Sequence, residues 1–268
     1  MLDEVVVVGY GTQKKATLTG SVSQVGGEEL KKVAATNLTN TLAGKTAGVI
    51  ANTRSGEPGE DNADILIRGK GTLGSTSPLI VVDGIADRSF SRLNPEDIES
   101  ISVLKDASAA IYGARAANGV IVVTTKKGAE GKFNINLDIK QGFVTTANNN
   151  MDFANAQQTM KLFTDGYTAA QGGDWQENYN YLADDYFGWD RKSSYDWMDA
   201  ISRKGYYQDY NLNMQGRTGS TGYYVGLGYL NTEGLIIGSD LERFSGRLNL
   251  DTKFKWATLG VNSSYSYT

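Results

Sequence analysis

The residues that usually carry enzyme chemistry are scarce in this chain. Cys and His are both absent, which removes disulfides, thiolate nucleophiles, imidazole bases and the usual zinc ligands. Chemistry restricted to carboxylates, such as glycoside hydrolysis by an acid–base pair, remains open. The 30 acidic residues are, however, scattered through polar stretches with no spacing that singles out a pair. No catalytic residue is assigned, no metal or cofactor is expected, and the chain is read as a non-enzyme.

The polar residues that stand in defined local settings are structural. Arg68 precedes Gly69 and a glycine-punctuated stretch, where it could pair with acidic residues elsewhere or lie free on the surface. Asp83-Gly84 follows the apolar run LIVV and reads as a turn rather than a ligand site. Lys105-Asp106 reads as the solvated start of a short helix over 107–112.

Elements that would position such residues follow from composition and periodicity. Gly is abundant (32 of 268), Pro is scarce (3), and Tyr (15) outnumbers Phe (8), which favours strands and tight turns over long helices. The net charge of −4 argues against a nucleic-acid partner, which needs a basic face. No run reaches the roughly 18 apolar residues of a membrane helix, and no signal peptide precedes Leu2. A membrane barrel is still allowed, because its strands carry only alternating apolar residues.

Three textures divide the chain. Residues 1–15 hold the β-branched run Val5 to Val8 and then Gly9-Tyr10-Gly11, an extended, flexible segment. Residues 16–130 alternate short buried strands (64–67, 79–82, 98–104, 120–125) with turns and short helices (37–42, 107–112), an α+β domain expected to pack on its own. Residues 131–268 are predicted to form five long antiparallel strands at 133–143, 206–215, 222–230, 243–252 and 256–267. Phe133, Ile135, Leu137 and Ile139 alternate with Asn134, Asn136, Asp138 and Lys140. Phe244, Leu248 and Leu250 alternate likewise with Ser245, Arg247, Asn249 and Asp251. About ten residues at ~3.3 Å each, tilted near 40°, rise about 25 Å, the height of a barrel's apolar band. Connections alternate between short and long, and the longest, near 147–205, is expected to be extracellular and to use its many aromatic side chains as a small core of its own. A soluble β-sandwich serving as a binding or adhesion module is the alternative, with shorter strands and a hidden apolar face; a carboxylate hydrolase is a more distant one.

Four blocks carry a resemblance: LDEVVVVGYGTQKK from Leu2, LIVVDGI from Leu79, DIESISVLKDASAAIYGARAANGVIVVTTKKG from Asp97, and YYQDYNLNMQGRTGSTGYYVGLGYLNTEGLI from Tyr206. In that order they resemble the N-terminal part of SusC-like TonB-dependent outer-membrane receptors. The resemblance implies an α+β plug domain (16–130) followed by antiparallel β-strands of an incomplete transmembrane β-barrel. It also implies that Asp3, Glu4, Val5, Val6, Val7, Val8 and Gly9 form the TonB box, and that Arg68, Gly69, Asp83 and Gly84 belong to plug motifs. Family members import oligosaccharides or peptides across the outer membrane of Bacteroidetes-like cells, with TonB in the periplasm and a SusD-like surface lipoprotein as partners. The family pattern places a leader and a small β-sandwich before the TonB box and most of a roughly 22-stranded barrel after it, so the chain is expected to be a portion of a longer protein.

Overall fold

The computed structural model describes residues 22–31, 37–71, 74–86, 88, 90–129, 131, 133–146 and 153–268, and the backbone alone of 5–8, 11–14 and 106–107. The chain divides into two compact units. One contains residues 1–143, 205–234 and 239–268; the other contains 144–204 and 235–238. The division falls at the long excursion rather than between the α+β region and the long strands.

At the N-terminus, β1 (Val5–Val8) pairs antiparallel with β2 (Gly11–Lys14), Val6 opposite Gln13. The α+β region is built on a five-stranded sheet of β3 (Val22–Gly26), β8 (Ile98–Leu104), β9 (Val120–Thr125), β6 (Leu79–Val82) and β7 (Ile85–Ala86), in the order β3-β8-β9-β6-β7. Only the β6–β9 pair is parallel among these described strands. The unbroken apolar run of β9 is explained by burial on both faces. Ile121 and Val123 join a core with Leu30, Leu38, Leu42, Ile65, Ile98 and Ile101, while Val120 and Val122 pack on the opposite face with Leu79, Val81 and Leu104.

Short helices and a hairpin cover this sheet: α1 (Gly27–Lys31), α2 (Leu38–Thr41), and β4 (Val49–Thr53) paired with β5 (Ala63–Ile67). Asn37 caps α2, its side chain accepting from the Thr39 amide at 3.0 Å. Asp83-Gly84 forms the two-residue turn between β6 and β7, with φ of 50° and 84°, the left-handed pair that a tight hairpin demands. The helix over 107–112 is a 3₁₀ segment, Asp106–Tyr112.

The second sheet runs β10 (Asn134–Val144), β11 (Gly205–Thr218), β12 (Thr221–Glu233), β13 (Asp240–Lys253) and β14 (Thr258–Tyr267), all in chain order. Its described pairs are antiparallel and its edges do not meet, so it is an open wall. Strands of 10 to 14 residues match the length expected of a bilayer-spanning wall. The alternation read from sequence holds: Ile135, Leu137, Ile139, Leu227, Phe244, Leu248 and Leu250 are exposed on one face, whereas Asn211, Asn213, Arg243, Arg247 and Asn249 on the other are buried.

The second unit is helical, which alternation of residue types did not reveal: α3 (Ala156–Gln171), α4 (Trp175–Asn180), a π-helical turn over Tyr181–Tyr186, and α5 (Trp197–Ile201). Its core is Met160, Leu182 and Ala183, with Tyr167, Tyr179 and Trp189 packed against it. The aromatic residues therefore divide. Tyr179 and Trp189 serve as core, while Tyr186, Tyr195 and Trp197 are exposed.

Candidate functional site

The residues with the most developed polar chemistry lie along the seam where the α+β region meets the wall. The segment Asn94-Pro95-Glu96-Asp97 forms a 3₁₀ turn capped by Asn94, whose side chain accepts from the Glu96 amide at 3.0 Å. Pro95 fits the first position of such a turn because its missing N–H would be unbonded there. The turn presents three polar side chains, at positions 94, 96 and 97, to four strands of the wall. Asn94 Nδ2 donates to Asn211 Oδ1 of β11 at 2.6 Å and to Ser245 Oγ of β13 at 3.3 Å. Glu96 Oε1 meets Lys140 Nζ of β10 at 2.9 Å. Asp97 Oδ1 accepts from the Tyr224 hydroxyl of β12 at 2.8 Å, and its Oδ2 lies 3.3 Å from Arg247 Nε of β13.

Arg247 is the hub of the seam, its side chain only 2% exposed. Besides Asp97 it faces Asp83 Oδ2 at 3.6 Å and Thr125 Oγ1 at 3.4 Å. Asp83 is held from its own side as well, accepting from the Thr125 amide (2.9 Å) and hydroxyl (2.7 Å). Next along β13, Asn249 Nδ2 donates to Thr125 Oγ1 at 3.0 Å and to the Lys126 carbonyl at 2.7 Å. Burial pushes the Asp97 carboxyl above its ordinary 3.8, against the opposing pull of the Tyr224 hydroxyl and Arg247. Burial also acts to raise Glu96, but hydrogen bonds from Lys140 and Lys31 outweigh it and hold that carboxyl below its ordinary 4.5.

Glycine makes this approach possible. A Cβ at Gly226 would overlap the Asp97 carboxylate, one at Gly228 would overlap Asn94 Nδ2, and one at Gly128 would overlap the β12 backbone at Tyr223. Over the first half of β12 the inward positions 222, 226 and 228 are Gly and Tyr224 alone carries a side chain, fully buried; Leu230 and Thr232 fill the inward positions further along. That is a surface hollowed to receive another body.

The sequence-derived site residues fall in different places. Asp83 belongs to the seam through its carboxylate, and Gly84 supplies the left-handed turn beside it. Arg68 and Gly69 both have positive φ (58° and 89°); Arg68 is exposed and its amide donates to the Gly48 carbonyl at 2.9 Å. Val5 to Val8 form β1, while Asp3, Glu4 and Gly9 lie outside the described residues. Lys105 is not a solvated helix start. It is buried, its ammonium donating to Ser23 Oγ at 2.9 Å and to the Ala47 carbonyl, because β8 delivers it into the interior before the 3₁₀ segment begins. Sequence reasoning did not single out Asn94, Glu96, Asp97, Tyr224 or Arg247 as site residues. The glycine periodicity of β12 was the available signal.

Nothing in this arrangement resembles a substrate-turning centre; the carboxylates are engaged by cations and donors. Residues 14–120 match the family model for the TonB-dependent receptor plug domain, so the α+β region is a plug. Over 266 residues the chain is 38% identical to the TonB-dependent receptor SusC of Bacteroides thetaiotaomicron, covering 95% of this chain and 25% of that protein. It belongs to the SusC-like TonB-dependent receptors. The TonB-dependent receptor P39 of Formosa agariphila is 37% identical over 271 residues, 99% of this chain and 25% of that one. Among solved structures, the RagAB peptide importer in its closed-closed state superposes with a TM-score of 0.79 at 30% identity, covering 93% of this chain and 31% of that chain. The chain thus spans about a quarter of the length of the curated relatives it matches. Receptors of this family are outer-membrane proteins rather than enzymes, and the five-stranded sheet is the corresponding run of barrel wall.

Proposed function

We propose that this chain forms the coupling segment, plug and first wall strands of an energy-driven outer-membrane importer of large nutrients. Residues 1–15 would be the coupling segment, 16–130 the plug and 131–268 the wall, with the excursion near 147–205 on the extracellular side. The observation that carries the reading is the seam itself: the plug is held to the wall by buried charges and hydrogen bonds around Asp97 and Arg247, not by a continuous apolar core. Polar groups of this kind exchange protein partners for water when a plug moves, so undocking does not expose a large apolar surface.

The wall's outer face supports the membrane setting. Tyr210, Tyr229, Phe244 and Tyr267 stand in one cross-strand row, with Tyr229 and Phe244 rings 4.9 Å apart. Phe254 and Trp256 are exposed beyond the other end of β13; Phe254 lies ten residues after Phe244, roughly 33 Å along a strand and about 25 Å in height at a tilt near 40°. Aromatic belts at that separation fit the two interfaces of a bilayer.

On this reading Asp3, Glu4, Val5, Val6, Val7, Val8 and Gly9 add as a strand to periplasmic TonB, for which a β-branched run suits the backbone pairing. Arg68-Gly69 kinks the plug chain after β5, and Asp83-Gly84 aims a carboxylate at Arg247. A SusD-like surface lipoprotein is the outer partner, and the cargo is an oligosaccharide or a peptide. Uptake of labelled oligosaccharides and peptides by cells carrying the full-length receptor, with TonB or the lipoprotein deleted in turn, tests this. Uptake that persists undiminished without TonB would refute it.

A further inference from the structure

Glu96 is nearly inaccessible, its side chain 3% exposed, and each of its oxygens meets a different cation. Oε1 takes Lys140 of the wall at 2.9 Å; Oε2 takes Lys31 of α1 at 3.0 Å. The two cations have unequal obligations. Lys140 also lies 3.2 Å from Asp138 and 3.7 Å from Asp209, so one ammonium serves three carboxylates. Lys31 otherwise pairs with Glu28, whose side chain is 86% exposed and well hydrated. Lys31 is therefore the plug cation in direct contact with Glu96 where it abuts the acidic groups of β10 and β11, with Lys126 acting on the same carboxylate from further off.

The position of Lys31 in the chain gives this pairing a consequence. α1 follows β3 directly, and β3 is the edge strand of the plug sheet, bonded to β8 over five residue pairs from Val22↔Leu104 to Gly26↔Ser100. At the start of α1, Gly27 sits so close that a Cβ there would overlap the Ile98 carbonyl, two residues beyond Glu96. Strand, helix and seam turn are thus consecutive in space. A displacement passed along the chain into Val22 reaches β3, then Lys31, then Glu96.

We propose that Lys31 is a coupling residue: by sharing Glu96 with Lys140 it ties the N-terminal strand–helix of the plug to the plug–wall seam, and its withdrawal releases the seam locally. With Lys31 gone, Lys140 is the one cation still paired with Glu96, and it is shared with Asp138 and Asp209; Lys126 and Arg243 act on these carboxylates only from further off, so like charges in a desolvated seam are left poorly balanced and repel. The pairing itself does not depend on the transport reading; only the direction of the pull does.

The chain contains no cysteine, so Ser245→Cys, on β13 opposite Asn94, supplies a single thiol at the seam. Maleimide labelling of the full chain in detergent measures how often the seam opens. Lys31→Met is expected to raise the labelling rate about tenfold, Lys31→Arg to leave it near the parent rate, and Lys31→Met to have no further effect once Glu96→Gln is present. Strand signal in circular dichroism checks folding, and Lys31→Gln replaces Lys31→Met if the latter does not fold. An unchanged rate, with Lys126 or water taking over, would overturn the proposal. So would an equal effect of Lys31→Met in the Glu96 and Glu96→Gln backgrounds, which marks simple packing. These outcomes are read without transport, so failure of the importer reading does not produce them.

Discussion

Replacing Arg247 by Met should be the most damaging single change at the seam that leaves side-chain volume nearly constant. The guanidinium is 2% exposed and lies 3.3 Å from Asp97 and 3.6 Å from Asp83. Its removal leaves Asp97 buried with Tyr224 as its remaining neutral donor, whereas Asp83 keeps both contacts to Thr125. Stripping one partner from a buried ion pair costs about 3 to 5 kcal/mol, and Asp97 should account for most of it. The double variant Arg247→Met with Asp97→Asn should then recover about 1 to 3 kcal/mol, because a neutral amide can still accept from Tyr224 without an uncompensated charge. Urea unfolding of the chain in detergent, followed by the strand signal in circular dichroism, measures both at unchanged slope. The pH dependence has a defined sign. The Asp97 carboxyl is already raised above 3.8, so between 3.8 and the raised value the folded state holds a proton that the unfolded chain has lost, and stability falls as pH rises through that window. Arg247→Met should extend that fall to higher pH. A loss below about 1 kcal/mol, or no recovery in the double variant, would refute the view that Arg247 neutralises Asp97.

Three further outcomes follow from the same geometry. Glu96 is held below 4.5 by Lys140 and Lys31, so it adds stability above that value that is lost as pH falls through its lowered pKa; Glu96→Gln should flatten this acid limb of a stability–pH curve. Gly226→Val should displace the Asp97 carboxylate and open the seam, raising amide exchange at β12 and in the 94–97 turn; unchanged exchange at both would count against close contact there. Asn37→Ala removes the α2 cap together with the bond from Asn37 Nδ2 to Asn62 Oδ1 at 2.5 Å, and should cost about 1 to 2 kcal/mol in the same urea assay.

The wall was legible because alternation is a local property. Phe244, Leu248 and Leu250 against Arg247 and Asn249 fix which face is which with no knowledge of neighbours, and the bounds of β10 to β14 followed. The buried strands of the plug were legible for a similar reason, since VIVVTT has no polar face to expose. The seam was not. Asp83 announces a turn through Asp-Gly, but its carboxylate finds Thr125 and Arg247 far along the chain, and no local pattern encodes that meeting. Lys105 looked solvated because charged residues usually are; two oxygens supplied by Ser23 and Ala47, distant in sequence, make its burial tolerable. The helices of the excursion were hidden because α3 buries only Met160 and Thr164 among its sixteen residues, too few to leave a clear helical stripe.

Energy coupling through the N-terminal segment is tested most directly by Val6→Pro in the full-length receptor, with Val6→Ile as control. Val6 lies in β1 opposite Gln13, and proline there removes the backbone N–H and fixes φ, which disables strand addition, while isoleucine preserves it. Surface binding and uptake of a labelled nutrient are measured in the same cells. Binding retained with uptake lost for Val6→Pro, and both retained for Val6→Ile, is the expected result; full uptake by Val6→Pro in cells whose uptake still requires TonB would contradict it.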